Sequence, residues 1–249
     1  MHKKASLWGA FFTLWLLCPV AATAAETVAV RQVVDGDSLQ LADGRKIRLV
    51  GVNAPEMGRQ GRPDQPLALA AKQALKDLLA GRPAHLRFGP DRYDHHGRTL
   101  AYVDTASGVS AGEHLLGQGL AVLIAIPPNL DHIGRYRVIE AEAEARQARR
   151  GIWADPYYRP IPASQLGPKD TGFRFVTGTV ERVGQSRKYV YFDLSADFSV
   201  AISRDNWHYF GGDPKNWKGK RVQVRGWISL WRDKLRVRVG HPAMVEILK

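Results

Sequence analysis

The sequence predicts a mainly β fold with a few helices, an α+β class with β-rich segments near both ends. Residues 33–56 and 173–249 contain short runs in which apolar residues alternate with polar ones or stand together between turn residues. Segments between them have apolar residues at helical spacing. A chain of 249 residues can bury one large core or two modest ones.

The first 25 residues predict a signal peptide. Two lysines precede an apolar run over residues 5–22, and small residues at 22–24 suit signal peptidase. A retained membrane anchor is the alternative, because the run approaches the length that spans a bilayer. Cleavage would place a chain from about Glu26 in the periplasm or outside the cell, with no stable membrane anchor. It would also remove Cys18, the single cysteine, so the remainder must fold without disulfides.

Residues 33–56 predict a hairpin that turns at Asp43-Gly44, a dipeptide that favours tight turns. If its strands pair, their outer ends meet and bring polar groups together. Those groups are Asp35, Asp37, Arg48, Asn53 and Glu56. Oxygen ligands for a hard cation, a carboxylate for water and a guanidinium for developing charge are what attack on a phosphodiester requires.

The middle of the chain predicts three helices and short strands. Residues 66–80 form the first helix, with Asp64 as its cap and Gly81 as its end. Strands follow near residues 84–88 and 99–104, a second helix at 111–118 and an apolar strand at 121–126. A long helix begins at Asp131, and Glu142 and Arg146 are spaced to pair within it.

Positive charge is concentrated in the last third of the chain. Residues 26–170 carry 19 Lys and Arg against 17 Asp and Glu, whereas residues 171–249 carry 15 against 7. Aromatics interleave with these cations, which favours nucleic acid over acidic lipid as a partner. A basic surface with no specific partner is the alternative.

Residues 156–172, rich in Pro and Tyr, predict a linker or a segment wrapped on its neighbour. Residues 173–249 predict five short strands, the last hairpin turning near Arg232-Asp233, and their spacing loosely resembles OB-fold nucleic-acid-binding domains. Such domains bind single strands with basic grooves and aromatic rings. The candidates here are Lys188, Tyr189, Tyr191, Arg225, Trp231 and Arg236. Core aromatics in a stabilising or protein-docking domain are the alternative.

Six separated motifs occur in an order that resembles the staphylococcal nuclease, or thermonuclease, family across residues 28–154. They are DGDS, RLVGVNAPE, DHHGRTLAY, GQGLA, PPN and GIW. The resemblance covers about half of the chain and implies an OB-type five-stranded barrel with three helices. With the loose likeness of residues 173–249, it predicts a thermonuclease-like domain over 26–155 followed by a second small OB-like barrel.

The resemblance also implies roles for individual residues. Asp37 and the Ala54 carbonyl correspond to calcium ligands, and Asp35 would lie just behind them. Arg48 and Arg98 correspond to phosphate-binding arginines, and Glu56 to the acid that orients or activates water.

This sequence departs from the family pattern in two places. Asn53 stands where a second ligating aspartate is usual, so Ca²⁺ should bind more weakly or give way to another divalent cation. His96, Ala125 and Pro127 stand where tyrosines contact nucleotide rings, which leaves only His96 able to stack.

These observations predict an exported metal-dependent nuclease acting on DNA, RNA or both. Single-stranded or frayed substrates are favoured, and the resemblance implies 3′-phosphate products. Two alternatives remain: a catalytically weak or inactive nucleic-acid-binding protein, and a basic protein that docks on the cell envelope.

Overall fold

A computed structural model describes residues 25–58, 61–134 and 136–249. The predicted signal peptide lies almost wholly outside these residues. None of the helices within them has the length and apolar content needed to cross a bilayer. Strands dominate and helices are few, so the predicted α+β class is confirmed.

The first unit contains eight strands and three helices. They are β1 (Glu26–Val28), β2 (Val30–Asp35), β3 (Ser38–Leu41), β4 (Lys46–Leu49), β5 (Val52–Asn53), α1 (Ala68–Leu79), β6 (Ala84–Arg87), β7 (Thr99–Thr105), α2 (Ala111–Gly117), β8 (Val122–Leu123) and α3 (Tyr136–Gln147). Six strands form one sheet in the order β1-β6-β7-β4-β3-β2, and β5 pairs with β8. The predicted hairpin is β3 and β4, with Gly44 at a φ of 90° in its turn.

The second unit contains eight strands and one short helix. They are β9 (Ile161–Pro162), β10 (Gly172–Thr179), β11 (Arg182–Gln185), β12 (Tyr189–Asp193), β13 (Phe198–Ser203), α4 (Trp207–Phe210), β14 (Arg221–Trp231), β15 (Lys234–Arg238) and β16 (Val245–Ile247). They form one sheet in the order β11-β12-β13-β15-β14-β10-β9, with β16 on β14. Arg232 and Asp233 both have positive φ, which suits the two-residue turn predicted there.

The two sheets share one connectivity. Each has a three-stranded antiparallel meander, then a strand parallel to the third, which is β7 beside β4 and β15 beside β13. In each, two strands that are close in sequence lie on opposite sides of the sheet: β1 and β2 are the two edge strands of the first, whereas in the second β11 is an edge strand and β10 lies next to the short edge strand β9. Ala29 alone separates β1 from β2, and two residues separate β10 from β11.

Apolar residues of the two units pack against each other. Leu39, Ile47 and Leu75 lie in the first core, and Phe192, Phe198 and Val224 in the second. The second core also includes Val122, Ile124, Ala125 and Ile152 from the first unit. The second unit therefore covers apolar surface of the first.

Residues 156–172 lie against both units. The Tyr158 hydroxyl donates a 2.6 Å hydrogen bond to the Pro66 carbonyl, and β9 pairs in parallel with β10. Ala163 is buried in the second core. The segment thus has ordered contacts along its length.

Three local predictions are wrong. Glu142 and Arg146 do not pair with each other: Glu142 pairs with Arg225, and Arg146 with Glu246. Asp64 does not cap α1, because its Oδ1 accepts a hydrogen bond from the Gly58 N–H instead. Helix α3 begins at residue 136, since residues 131–134 form turns.

Candidate active site

The turn between β2 and β3 approaches α1 closely. A side chain at Gly36 would place its Cβ 2.6 Å from the Cβ atoms of both Ala54 and Ala71, closer than packed carbon atoms allow. Glycine at this position therefore brings the turn against the segment after β5. The approach places Asp37 beside Ala54.

Asp37 is buried and has several partners. Its Oδ2 accepts a 2.8 Å hydrogen bond from the Ala54 N–H and lies 2.9 Å from Nη2 of Arg48. Its Oδ1 accepts from the Ser38 hydroxyl at 3.0 Å, and Asp35 accepts from the Asp37 N–H. Burial raises the pKa of Asp37 to about 7, because nearby carboxylates add to the desolvation and Arg48 only partly offsets it.

Arg48 is buried, and four acceptors hold its guanidinium. Nη1 donates to the carbonyls of Leu49 and Val52, each at 2.8 Å. Nη2 faces Asp37 and donates to Oδ1 of Asn53 at 3.1 Å. A guanidinium has four N–H bonds on its two terminal nitrogens, so these contacts occupy all of them. Arg48 thus supplies positive charge from a fixed position.

Arg98 lies at the edge of the same cluster and is half-buried. Its Nε donates to Asp94 at 2.7 Å, and its Nη1 reaches the Ser38 hydroxyl at 3.4 Å. Burial alone would raise the pKa of Asp94, but hydrogen bonds from Arg98 and His96 lower it below its usual value. Three terminal N–H bonds of Arg98 have no acceptor among the contacts of the described residues, so Arg98 can bind an anion directly.

Glu56 is exposed at the start of a loop. Gln65 binds both backbone groups of Glu56. Its side-chain oxygen accepts a hydrogen bond from the Glu56 N–H, and its own N–H donates to the Glu56 carbonyl, both at 3.0 Å. The loop is closed further by the bond from Gly58 to Asp64. These contacts hold the Glu56 backbone beside the cluster while its side chain meets solvent.

Ala125 and Pro127 lie under the second unit. Ala125 is fully buried, and its N–H contacts the sulfur of Met244 at 3.1 Å. A Cβ added at Gly240 would come within 2.6 Å of the Pro127 ring. A nucleotide therefore has no access to Ala125, and the half-buried Pro127 packs against the second unit. His96, in contrast, is exposed beside His95, with ring centroids 3.8 Å apart.

The candidates on the second unit divide into two groups. Tyr189, Tyr191, Trp231 and Arg236 lie on one outer face of the sheet, and Lys188 is exposed at its edge. Arg225 does not join them. It is buried, and its Nη1 contacts both carboxylate oxygens of Glu142 at 2.6 and 2.8 Å. The prediction that Arg225 contacts nucleic acid is wrong, because this ion pair holds the two units together.

Comparison with known proteins identifies the first unit. Residues 46–155 match the staphylococcal nuclease homologue family. Thermonuclease from Staphylococcus intermedius is 34% identical over 136 residues, which cover 51% of this chain and 76% of the relative. The chain belongs to the staphylococcal nuclease family.

Further relatives agree with this family. Thermonuclease from Staphylococcus hyicus is 30% identical over 133 residues, covering 52% of this chain and 77% of the relative. Endonuclease YncB from Bacillus subtilis is 33% identical over 136 residues, covering 53% and 63%. The family predicted from the sequence is confirmed, and so is the class of enzyme, a nuclease.

Two residues of this staphylococcal nuclease site were missed by sequence reasoning. Ser38 links Arg98 to Asp37, and Gly36 allows the turn to meet Ala54. Both lie in the DGDS motif, so the signal was present. The close approach that gives them their roles is a tertiary contact, which the motif alone does not describe.

Proposed function

We propose that this protein is an exported, metal-dependent nuclease that hydrolyses phosphodiester bonds in single-stranded or frayed DNA, RNA or both, leaving 3′-phosphates. One observation carries the proposal. One continuous hydrogen-bonded network lies beside the exposed Glu56 and joins Arg98, Ser38, Asp37, Arg48 and Asn53. This network brings two guanidinium groups and a buried carboxylate together beside the turn between β2 and β3.

The oxygen ligands present in this cluster are of the type that a hard divalent cation prefers. Asp37 Oδ1 accepts one hydrogen bond and Asn53 Oδ1 accepts one, so each oxygen keeps a lone pair for a cation. The donor set carries little charge, since Asp37 is its single carboxylate, and no cluster of three or more His, Cys, Asp or Glu suited to a metal occurs in the described part of the chain. Asp37, Asn53 and the Ala54 carbonyl would hold Ca²⁺ or a similar ion weakly.

When bound, such an ion would polarise the phosphate and favour the charge that develops on its oxygens. The remaining chemistry belongs to side chains. Arg98 contacts the phosphate through its terminal N–H groups, and Arg48 adds positive charge from its fixed position. Glu56 orients a water molecule for in-line attack and accepts its proton. As the new P–O bond forms, the bond between phosphorus and the 5′-oxygen breaks, and that oxygen leaves as a hydroxyl after it takes a proton from solvent.

Two further parts of the proposal rest on the sequence and the connectivity. Export to the periplasm or the medium is supported by residues 1–25 and is tested by sequencing the N-terminus of the protein recovered outside the cytoplasm, which should begin near Glu26. An OB-type barrel in each unit is supported by two strands that are close in sequence but lie on opposite sides of the sheet, β1 and β2 in the first unit and β10 and β11 in the second.

The test is cleavage of a fluorescent single-stranded DNA by residues 26–249 in calcium, magnesium, manganese or chelator. We expect Glu56→Gln to lower kcat by about 10²–10⁴-fold and Arg98→Ala by about 10²–10³-fold. Glu144→Gln and Arg82→Ala are matched controls, because both residues are exposed outside the cluster. Asn53→Asp should lower the calcium concentration that gives half-maximal cleavage, because it adds an anionic ligand.

Two results would contradict the proposal. Equal cleavage by Glu56→Gln and the parent protein would remove Glu56 from the mechanism. Strand binding without turnover in any metal would favour the alternative of an inactive nucleic-acid-binding protein, in which Asn53 marks a lost metal site.

A further inference from the structure

The outer face of the second sheet carries aromatic and cationic side chains in adjacent strands. We call Tyr189, Tyr191, Trp231, Arg236 and Arg238 the aromatic–arginine surface. Along β12 and β15, these positions alternate with the core residues Val190, Phe192, Leu235 and Val237. Alternation places them on the solvent side. Trp231, at the end of β14, is 49% exposed.

The arginines of this surface lie over its rings. The Arg236 guanidinium carbon is 5.1 Å from the ring centroid of Tyr191 and 5.6 Å from that of Trp231. Arg238 lies 5.9 Å from the ring centroid of Tyr189, and the two tyrosine centroids are 6.0 Å apart. These distances are within the range of cation–π contacts. The five side chains form one continuous surface.

Small residues on β13 make this arrangement possible. The strand β13 separates β12 from β15, and its outward residues at the same level are Ser199 and Ala201. Two strand spacings amount to about 9–10 Å. An arginine can cross that distance only where the strand between carries short side chains.

The positive charge of the surface is not neutralised by its neighbours. Among the described residues, neither Arg236 nor Arg238 forms an ion pair with a carboxylate, and Arg236 Nε is buried without a hydrogen-bond partner. The carboxylate of the same outer face, Asp193, accepts hydrogen bonds from Arg182 and Ser199, each at 2.6 Å. Burying an unpaired N–H costs stability, so the position of the Arg236 side chain lowers the stability of the fold.

We propose that the aromatic–arginine surface is a second site for nucleic acid, which binds a single strand apart from the place of hydrolysis. Bases stack on Tyr191, Tyr189 and Trp231, and phosphates meet Arg236 and Arg238. A single strand fits best because its base faces are available, whereas those of a duplex are already stacked. The site deepens the proposed nuclease function, on which it rests, by holding the strand that the first unit cleaves.

A second observation supports a strand-binding role for the second unit beside hydrolysis in the first. Two of the positions at which nucleotide rings would be contacted in the first unit hold Ala125, which the second unit covers, and Pro127, which is half-buried against Gly240. The first unit thus lacks ring contacts at these two positions, and the second supplies aromatic rings elsewhere. The charge balance agrees, because the excess of Lys and Arg lies in residues 171–249.

Binding is measured by the fluorescence anisotropy of a labelled oligothymidylate of about 20 nucleotides, longer than the site size of one such domain. The full mature chain is used in chelator, and electrophoresis verifies that the probe stays intact. We expect Tyr191→Ala and Trp231→Ala each to weaken binding roughly 5- to 100-fold, and Tyr191→Phe to retain it, since stacking needs only the ring. Arg236→Ala should weaken binding and reduce its dependence on salt.

Arg174 and Tyr157 provide the matched control. They form another cation–π pair, at 5.4 Å, outside the aromatic–arginine surface. Arg174→Ala and Tyr157→Ala should leave affinity unchanged. Equal losses in the control and test variants, or no loss in Tyr191→Ala and Trp231→Ala, would overturn the proposal. Loss of binding to anionic lipid vesicles but not to DNA would show a membrane-docking surface instead.

Hydrolysis distinguishes this site from the active site. Tyr191→Ala should raise the KM for a long strand and leave kcat unchanged. It should also leave cleavage of a chromogenic single-nucleotide phosphodiester unchanged, because that substrate cannot reach both places. If neither the parent protein nor any variant cleaves either substrate, the proposed hydrolysis is wrong. The anisotropy measurements would still test strand binding independently.

Discussion

The ion pair between Arg225 and Glu142 is expected to be essential for stability. Both side chains are only 7% exposed, and their closest atoms are 2.6 Å apart. Oε1 of Glu142 also accepts a 2.7 Å hydrogen bond from the Leu123 N–H. Replacing Arg225 with Met keeps much of the packing against Trp153 and Phe175 but leaves the carboxylate with that single donor. An unpaired buried charge of this kind costs about 3–5 kcal/mol.

A double variant separates the charge from the packing. Glu142→Gln in the Arg225→Met background removes the orphaned charge, and the amide oxygen can still accept from Leu123. The double variant should therefore regain most of the lost stability, because a buried pair replaced by neutral groups is often nearly neutral. The resulting coupling energy is about 2–4 kcal/mol.

The assay is urea unfolding followed by tryptophan fluorescence, with the free energy of unfolding taken by linear extrapolation. Arg182→Met is the matched control, since Arg182 pairs with Asp193 at 2.6 Å but its own side chain is 76% exposed. That change should cost at most about 1 kcal/mol. A cost for Arg225→Met no larger than the control, or a double variant as unstable as the sum of the singles, would refute the reasoning.

Three further predictions concern the first unit. Burial lowers the pKa of His132 below its usual value, so the unfolded chain gains a proton at a higher pH than the folded one does. The free energy of unfolding should therefore fall as pH drops below about 6.5, and His132→Gln should flatten the urea-derived curve of stability against pH in that range. Ser38→Ala should reduce kcat/KM for DNA by about 10-fold, because Arg98 and Asp37 lose their link, whereas Ser164→Ala, at an exposed position away from both sites, should not. A chain ending at residue 155 should lose solubility in a sedimentation assay, because removal of the second unit exposes apolar residues of the first; a soluble, cooperatively unfolding fragment would contradict this.

Local signals in the sequence predict local structure well. Asp43-Gly44 and Arg232-Asp233 both mark hairpin turns, and Gly81 ends α1 with a φ of 64°. These signals succeed because a turn or a helix end depends on the conformation of one or two residues. The order of the six motifs likewise identifies the family, because motif order is read directly from the sequence and does not depend on tertiary contacts.

Contacts between the two units are what the sequence does not reveal. Arg225 has the spacing of a strand residue whose side chain could face solvent, and Glu142 has the spacing of a helical pair with Arg146. Glu142 and Arg146 instead each meet a residue of the second unit. Glu142 pairs with Arg225, 83 positions away in sequence, and Arg146 pairs with Glu246, 100 positions away. Periodicity describes which residues share a face, but not which element will cover that face. For the same reason, the absence of aromatic rings at positions 125 and 127 is visible in the sequence, whereas the burial of Ala125 under the second unit is not.

The contact between Ala125 and Met244 constrains how this protein can evolve. Ala125 is fully buried against a residue 119 positions away, and both belong to one core. A mutation that introduced an aromatic ring at position 125 would displace part of the second unit and destabilise the boundary. Substitutions at 125 and 244 should therefore be accepted only together, with volume gained at one offset at the other. By covering Ala125, the second unit makes sequence change at this position depend on packing between the units.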